Sequence, residues 1–432
     1  MSTRAAFRLL LPCLLVLHGE AASAHVPDSL WQAFRWRSIG PGNMMGRISS
    51  VDALNTDWRV VIGSASGGVW KSTDAGSSFR PIFDGHGSQS IGDVAFFQGD
   101  AEVIWVGTGE STGRNSVGWR DGVWKSADGG RTFTQSGLRE TYQISEIAPH
   151  PTNADIVYVA AVGNLWGYTG SRGLCKTTDG GATFRELTNG LPAGETGQID
   201  IDVYRTDPRI VVAFVEADET LATDLSVPGP GVYRSDDAGE TWRYVVRNNS
   251  RPYYHGRVRI HPTDEQRIYL PSPQFMHSLD GGRTWRNGKG FPSAGGDDHD
   301  LWISPQNPDV FYSATDQGSS ITLGGPALQF QNMAVGQYYA IGVDMRDPYW
   351  VYGGLEDNGG WAIPSHVPEQ NEIGTQNAIE VNGGDGFHMD TDPADWRTLY
   401  STVHVGFFGR IDVVTGSRRF ITPTPATTVN FA

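Results

Sequence analysis

The chain has 432 residues, a formal charge of −15, 55 glycines, 14 tryptophans and 15 tyrosines. The acidic balance excludes nucleic acid and anionic membranes as partners, because both attract basic surfaces. Abundant Gly, Trp and Tyr with few helical periodicities point to an all-β protein. Length alone suggests about three domains, unless one repeated ring takes the whole chain.

Residues 1–24 read as a secretory signal peptide. Arg4 and Arg8 make a basic start, Leu9–Leu17 a short apolar core, and Ala22-Ser23-Ala24 a small-residue cleavage site. The protein is therefore expected outside the cytoplasm, periplasmic or extracellular. No later segment approaches the roughly 20 apolar residues of a membrane span. Cys13 would leave with the signal, so Cys175 has no disulfide partner and reads as a small buried hydrophobe.

From residue 46 the pattern becomes regular. Arg47–Ala53 alternates, Trp58–Ser64 is densely apolar, Gly68–Ser72 leads into a turn, and Phe79–Phe83 follows it. Four short strands with turn signals between them make one antiparallel blade of a β-propeller. Similar units span 91–137, 142–190, 198–247, 256–290, 298–332, 337–373 and 384–422. The expected fold is a single propeller domain over 25–432 with seven or eight blades, its closure left open by the sequence. Phe34–Ile39 offers a closing strand.

The turn before the fourth strand repeats. Ser72-Thr73-Asp74-Ala75-Gly76-Ser77-Ser78-Phe79 returns around Asp128, Asp179, Asp237 and Asp280, at spacings of 54, 51, 58 and 43 residues. The Asp and hydroxyl side chains can brace the turn, Gly supplies an unusual backbone angle, and the aromatic wedges into the core. These five aspartates are read as structural. Pro/Asx links between first and second strands, such as His150-Pro151-Thr152-Asn153, share that rim. The long links Gly109–Asp121, Val162–Arg172 and Glu216–Pro230 fall on the other rim, where function is expected.

The repeat is identified as the Asp-box, or BNR repeat, and resembles the propellers of sialidases, xyloglucanases and the sortilin family. Trp36–Gly42, His299–Ile303, Tyr352-Gly353-Gly354 and Gly383–Phe387 further resemble large exported bacterial proteins grouped with the sortilin propellers and labelled glycosyl hydrolase-like. Members of that group usually continue with more repeats, so this chain looks shortened. The sialidase Arg-Ile-Pro entry is missing. Where xyloglucanases place a catalytic Asp before a Gly pair, this chain has Ala65.

Two functions follow. The leading one is a binding or scaffold module whose irregular rim holds a protein, peptide or glycan. The competing one is a glycoside hydrolase using two rim carboxylates among Asp298, Glu356, Asp357 and Asp385, since glycosidic hydrolysis needs a carboxylate pair. Arg47, Glu110, Trp119, Trp166, Tyr168, Tyr254 and His299 are the candidate ligand-binding residues. No cofactor is expected, although Asp298 and His299 are the right residue types for a divalent cation. The bland alternative is a solvated turn at Asp357-Asn358-Gly359 and aromatics packed between blades.

Overall fold

The computed structural model describes residues 39–423, except 41, 45, 115, 116, 120, 168, 170, 219–227, 249–251, 272–275, 288–296, 369, 371 and 372. The signal-peptide reading, most of Phe34–Ile39 and Tyr168 lie outside the described residues. Within them the chain forms eight four-stranded antiparallel sheets in sequence order. They span residues 48–81, 91–135, 144–187, 196–247, 259–287, 298–329, 338–382 and 386–420, and are numbered 1 to 8 here. In sheet 7 the fourth strand is Ile379–Asn382, beyond the expected limit of 373, because a short 3-10 turn at Thr375–Asn377 lengthens the link before it.

The second strands explain the dense apolar runs. Val60–Ser64, Ile104–Thr108 and Val157–Ala161 are buried at every residue, because each sheet is stacked between two others and has no wet face. Sheet 1 packs on sheet 2, and so on around to sheet 6. Trp302, Tyr312 and Ile321 of sheet 6 then pack against Ile48, Val51 and Ile62 of sheet 1. Sheets 1 to 6 thus enclose a common channel lined by Asp52, Asp93, Glu146, Asp202, Arg259 and Asp300.

Those carboxylates satisfy backbone donors that the first strands cannot pair within their own sheets. Asp52 accepts from Phe96 N–H at 2.7 Å and Asp93 from Ile147 N–H at 2.6 Å. Asp202 accepts from Ile260 N–H at 2.7 Å, and Asp300 of sheet 6 reaches Val51 N–H of sheet 1 at 2.8 Å. Sheets 7 and 8 stack on one another through Tyr352, Ala362, Met389 and Leu399. Unlike the ring strands, the first strand of sheet 7 leaves Ile341 and Val343 exposed.

The repeated turn has one geometry in all five copies. In the first, Ser72 Oγ donates to Asp74 Oδ1 at 2.8 Å and accepts from Gly76 N–H at 2.8 Å. Ser78 donates to the same carboxylate from its N–H at 2.9 Å and its hydroxyl at 2.7 Å. The small residue before each Gly also has a positive φ, including Ala75 at 61° and Ala238 at 60°. Its N–H bonds the first-to-second strand link, as Gly129 does to Glu102 O at 2.8 Å and Ala238 to Arg209 O at 2.8 Å. The turns and the Pro/Asx links therefore share one rim.

Candidate functional site

The opposite rim gathers charge around Arg47, the residue just before the first strand of sheet 1. Its guanidinium is wholly buried. Nε and Nη2 grip Glu356 at 3.0 and 2.6 Å. Nη2 also lies 2.6 Å from Asp316 and 2.5 Å from the Tyr254 hydroxyl, and Nη1 lies 3.5 Å from Glu110. Arg114 forms a fork on Glu110 at 3.0 and 2.9 Å. His299 Nε2 pairs with Asp316 at 2.6 Å, and the Tyr254 hydroxyl donates to the same carboxylate at 3.0 Å.

The positions are set by the propeller's own repetition. Glu110, Asp316 and Glu356 each follow the second strand of their sheets, so the ring turns them toward one another. Arg47, Tyr254 and Asp385 each precede a first strand on that same rim. Asp357 has a φ of 56°, a left-handed conformation that Asp tolerates better than most side chains. Its N–H is held by Asp385 at 2.9 Å, and the Asn358 side chain ties it to the Asp316 and Glu356 carbonyls at 2.9 Å each.

Electrostatics sort these acids into different states. Burial alone would lower Arg47, but Glu110, Asp316 and Glu356 more than reverse this and keep it charged. Burial pushes Asp316 up, yet His299 and Arg47 outweigh it and hold the carboxylate below its usual range. Asp357 goes the other way. Burial, the hydrogen bond with ionised Asp316 and the nearby Glu356 push it up to about 8. Two carboxyl groups this close cannot both ionise cheaply, so the proton stays on the more exposed one. Glu356 is raised by burial, against Arg47 and Arg114.

The structure thus brings Arg47, Glu110, Tyr254, His299, Glu356, Asp357 and Asp385 to one place. Asp298, next to His299 at the start of the first strand of sheet 6, is buried and pairs across the sheet with Thr315. Trp119 is exposed and stacks on Tyr142 with centroids 4.9 Å apart. Trp166 lines a separate groove between sheets 3 and 4. Among the described residues, one group of three acids has ligand atoms within 4.8 Å of one another: Asp316, Glu356 and Asp357. Arg47 Nη2 already stands between the first two, where a divalent cation shared by them would sit.

Sequence reasoning missed Asp316, Arg114 and the stacked pair Tyr339 and Phe387, whose centroids are 4.9 Å apart. Tyr339 is close enough to Glu356, Arg114 and Asp385 to feel their charges, and burial raises its hydroxyl to about 12. An acid directly after the second strand was the available signal for Asp316, because Glu356 holds the same place and Glu110 the next one. In sheet 1 that place belongs to Ala65, whose N–H bonds the Arg47 carbonyl at 3.2 Å.

The fold defines the chain as a β-propeller protein with a carboxylate-rich rim. No protein-family model matches it. A xyloglucanase of Hypocrea jecorina (strain QM6a) is 23% identical over 305 residues, covering 63% of this chain and 34% of that relative, so the chain spans about a third of its length. The solved GH74 xyloglucanase of Xanthomonas campestris is similar with a TM-score of 0.57 at 15% identity, over 91% of this chain and 70% of that one. The GH74 enzyme of Niastella koreensis gives 0.52 at 14% identity, over 89% and 73%. Likeness at this level establishes the fold. Among the described residues no helix is long and apolar enough to cross a membrane.

Proposed function

We propose that this is an exported carbohydrate-active propeller of the Asp-box type, a glycoside hydrolase whose proton donor is Asp357. One arrangement carries the reading: Asp357 is a third exposed and set against Asp316 and Glu356, and burial with these neighbours pushes its carboxyl up to about 8. A general acid for a glycosidic oxygen needs that state. Asp385, which is partly exposed and holds the Asp357 N–H, is the second carboxylate. In the reaction Asp357 protonates the leaving oxygen as the anomeric C–O bond breaks, while water gives one proton to Asp385 and its hydroxyl bonds to the anomeric carbon. Glu356 and Asp316 are held by Arg47 and act as positioning groups. Tyr339 and Phe387 offer apolar faces beside them. The similarity to xyloglucanases supports this substrate class.

A second reading, a glycan-binding or scaffold module without hydrolysis, is favoured by Ala65, which leaves sheet 1 without an acid beside Arg47. The test is hydrolysis of xyloglucan and other neutral glucans by the whole chain. Asp357→Asn lowers the rate by about 10²-fold or more, and wild-type activity falls as pH rises through about 8. Binding without cleavage supports the second reading, and a rate unchanged in Asp357→Asn overturns the first.

A further inference from the structure

A second feature of the functional rim lies apart from the carboxylate cluster. The groove between sheets 3 and 4 has a volume of about 840 Å³ and is walled by Trp166, Arg172, Glu195, Thr196, Glu216 and Asp218. Trp166 is 67% exposed. Its backbone is nevertheless fixed: Asn164 Oδ1 accepts its N–H at 2.9 Å, and Asn164 Nδ2 donates to Thr169 Oγ1 at 3.1 Å. Arg172 clamps the same link, donating to the carbonyls of Asn164 at 2.5 Å and of Gly167, and to Thr196 O of sheet 4 at 3.1 Å.

An indole kept in water on a braced link is already ordered for binding. A ligand covering it gains apolar burial on a ring that already faces solvent. The polar wall selects the ligand. Glu195 and Glu216 are close enough to Arg172 to feel its charge, its Nη atoms are committed to carbonyls, and Asp218 lines the same groove. Arg172 Nε is buried without a hydrogen-bond partner and lies 3.7 Å from Glu195. Glu216 Oε2 accepts from Gln198 N–H at 2.8 Å, which fixes that carboxylate at the groove floor.

We propose that this groove is a subsite for a neutral saccharide, with a sugar ring stacked on Trp166 and hydroxyls donating to Glu195 and Glu216. An acidic saccharide is repelled by the three carboxylates, and a flat C–H face with peripheral hydroxyls matches the indole and its polar wall. The subsite rests on the carbohydrate reading above and adds a contact remote from Asp357.

Calorimetric titration of the whole chain carrying Asp357→Asn, with a neutral xyloglucan oligosaccharide, tests it. Trp166→Ala weakens binding by about tenfold, the scale of one lost aromatic contact, while Trp166→Phe keeps most of the affinity. The melting temperature stays unchanged in both, since the indole supports nothing beneath it. Oligogalacturonate binds at least tenfold more weakly than the neutral probe. Saccharide binding insensitive to Trp166→Ala overturns this subsite alone, as does equal binding of the acidic probe. Absence of saccharide binding, or binding only of an uncharged peptide, overturns the carbohydrate reading as well.

Discussion

Arg47 shows how one residue can tie distant parts of a ring together. It joins sheet 1 to Glu110 of sheet 2, Asp316 of sheet 6 and Glu356 of sheet 7. Removing it leaves buried carboxylates without a counter-charge, so Arg47→Met should destabilise the protein by about 3–5 kcal/mol in denaturant unfolding. Arg47→Lys should recover little of this, because an ammonium cannot reproduce the Nε and Nη2 fork on Glu356. Full stability in the Lys variant would show that net charge alone suffices. Asp357→Asn should fold normally, since Asn also tolerates the φ of 56°.

The repeated turn works as an element because it braces itself and reaches its neighbours. In the first three copies the lysine before the hydroxyl donates to the next sheet's turn: Lys71 to Gly129 O at 2.9 Å, Lys125 to Gly180 O at 3.0 Å and Lys176 to Ala238 O at 2.7 Å. The two glycines of a turn are not equivalent. Gly180 has a φ of 70° and an added methyl would meet only the Asp155 and Lys125 side chains, each at an ordinary contact distance of 3.4 Å, whereas Gly181, at 94°, would place one 2.3 Å from Ser136 Oγ and 2.7 Å from Trp105. Gly180→Ala should therefore cost about 1 kcal/mol, as Ala75 and Ala238 imply. Gly181→Ala should cost about 2–3 kcal/mol or more, because strain and overpacking add. Equal losses in thermal unfolding would contradict this.

At the scale of the whole molecule, the six-sheet channel makes stability depend on pH. Burial pushes Asp52 up to about 7, and burial with the nearby Asp300 does the same to Asp93. Between the ordinary carboxylate value near 3.8 and about 7, the folded state holds protons that the unfolded chain has released. This contribution is complete at the acid end and disappears as pH rises through 7. The turn aspartates act oppositely: Asp179 and Asp280, lowered to about 2 by Thr183 and Thr284 hydroxyls, lose their contribution as pH falls from 4 towards 2. The melting temperature should peak near pH 4–5 and decline towards pH 7.5, less steeply in Asp52→Asn. A wild-type curve that climbs through that window would refute the assignment.

The local code of the chain determined the blade. Hydroxyl, Asp and Gly at fixed spacing close a turn with their own side chains, and strands of five or six residues follow from the apolar runs between turns. Such interactions span only a few residues, so they are readable without any tertiary information. The division into a uniform turn rim and an irregular opposite rim, and most members of the acid cluster, were legible for the same reason. What the tertiary structure alone decided was which sheets meet. The packing of Trp302 and Tyr312 on Ile48 and Val51 closes six sheets and brings Glu110 of sheet 2 and Asp316 of sheet 6 onto one arginine, where Glu356 of sheet 7 joins them. Contacts across about 250 to 300 residues depend on how much each sheet twists and where the ring shuts, and no local pattern records that angle.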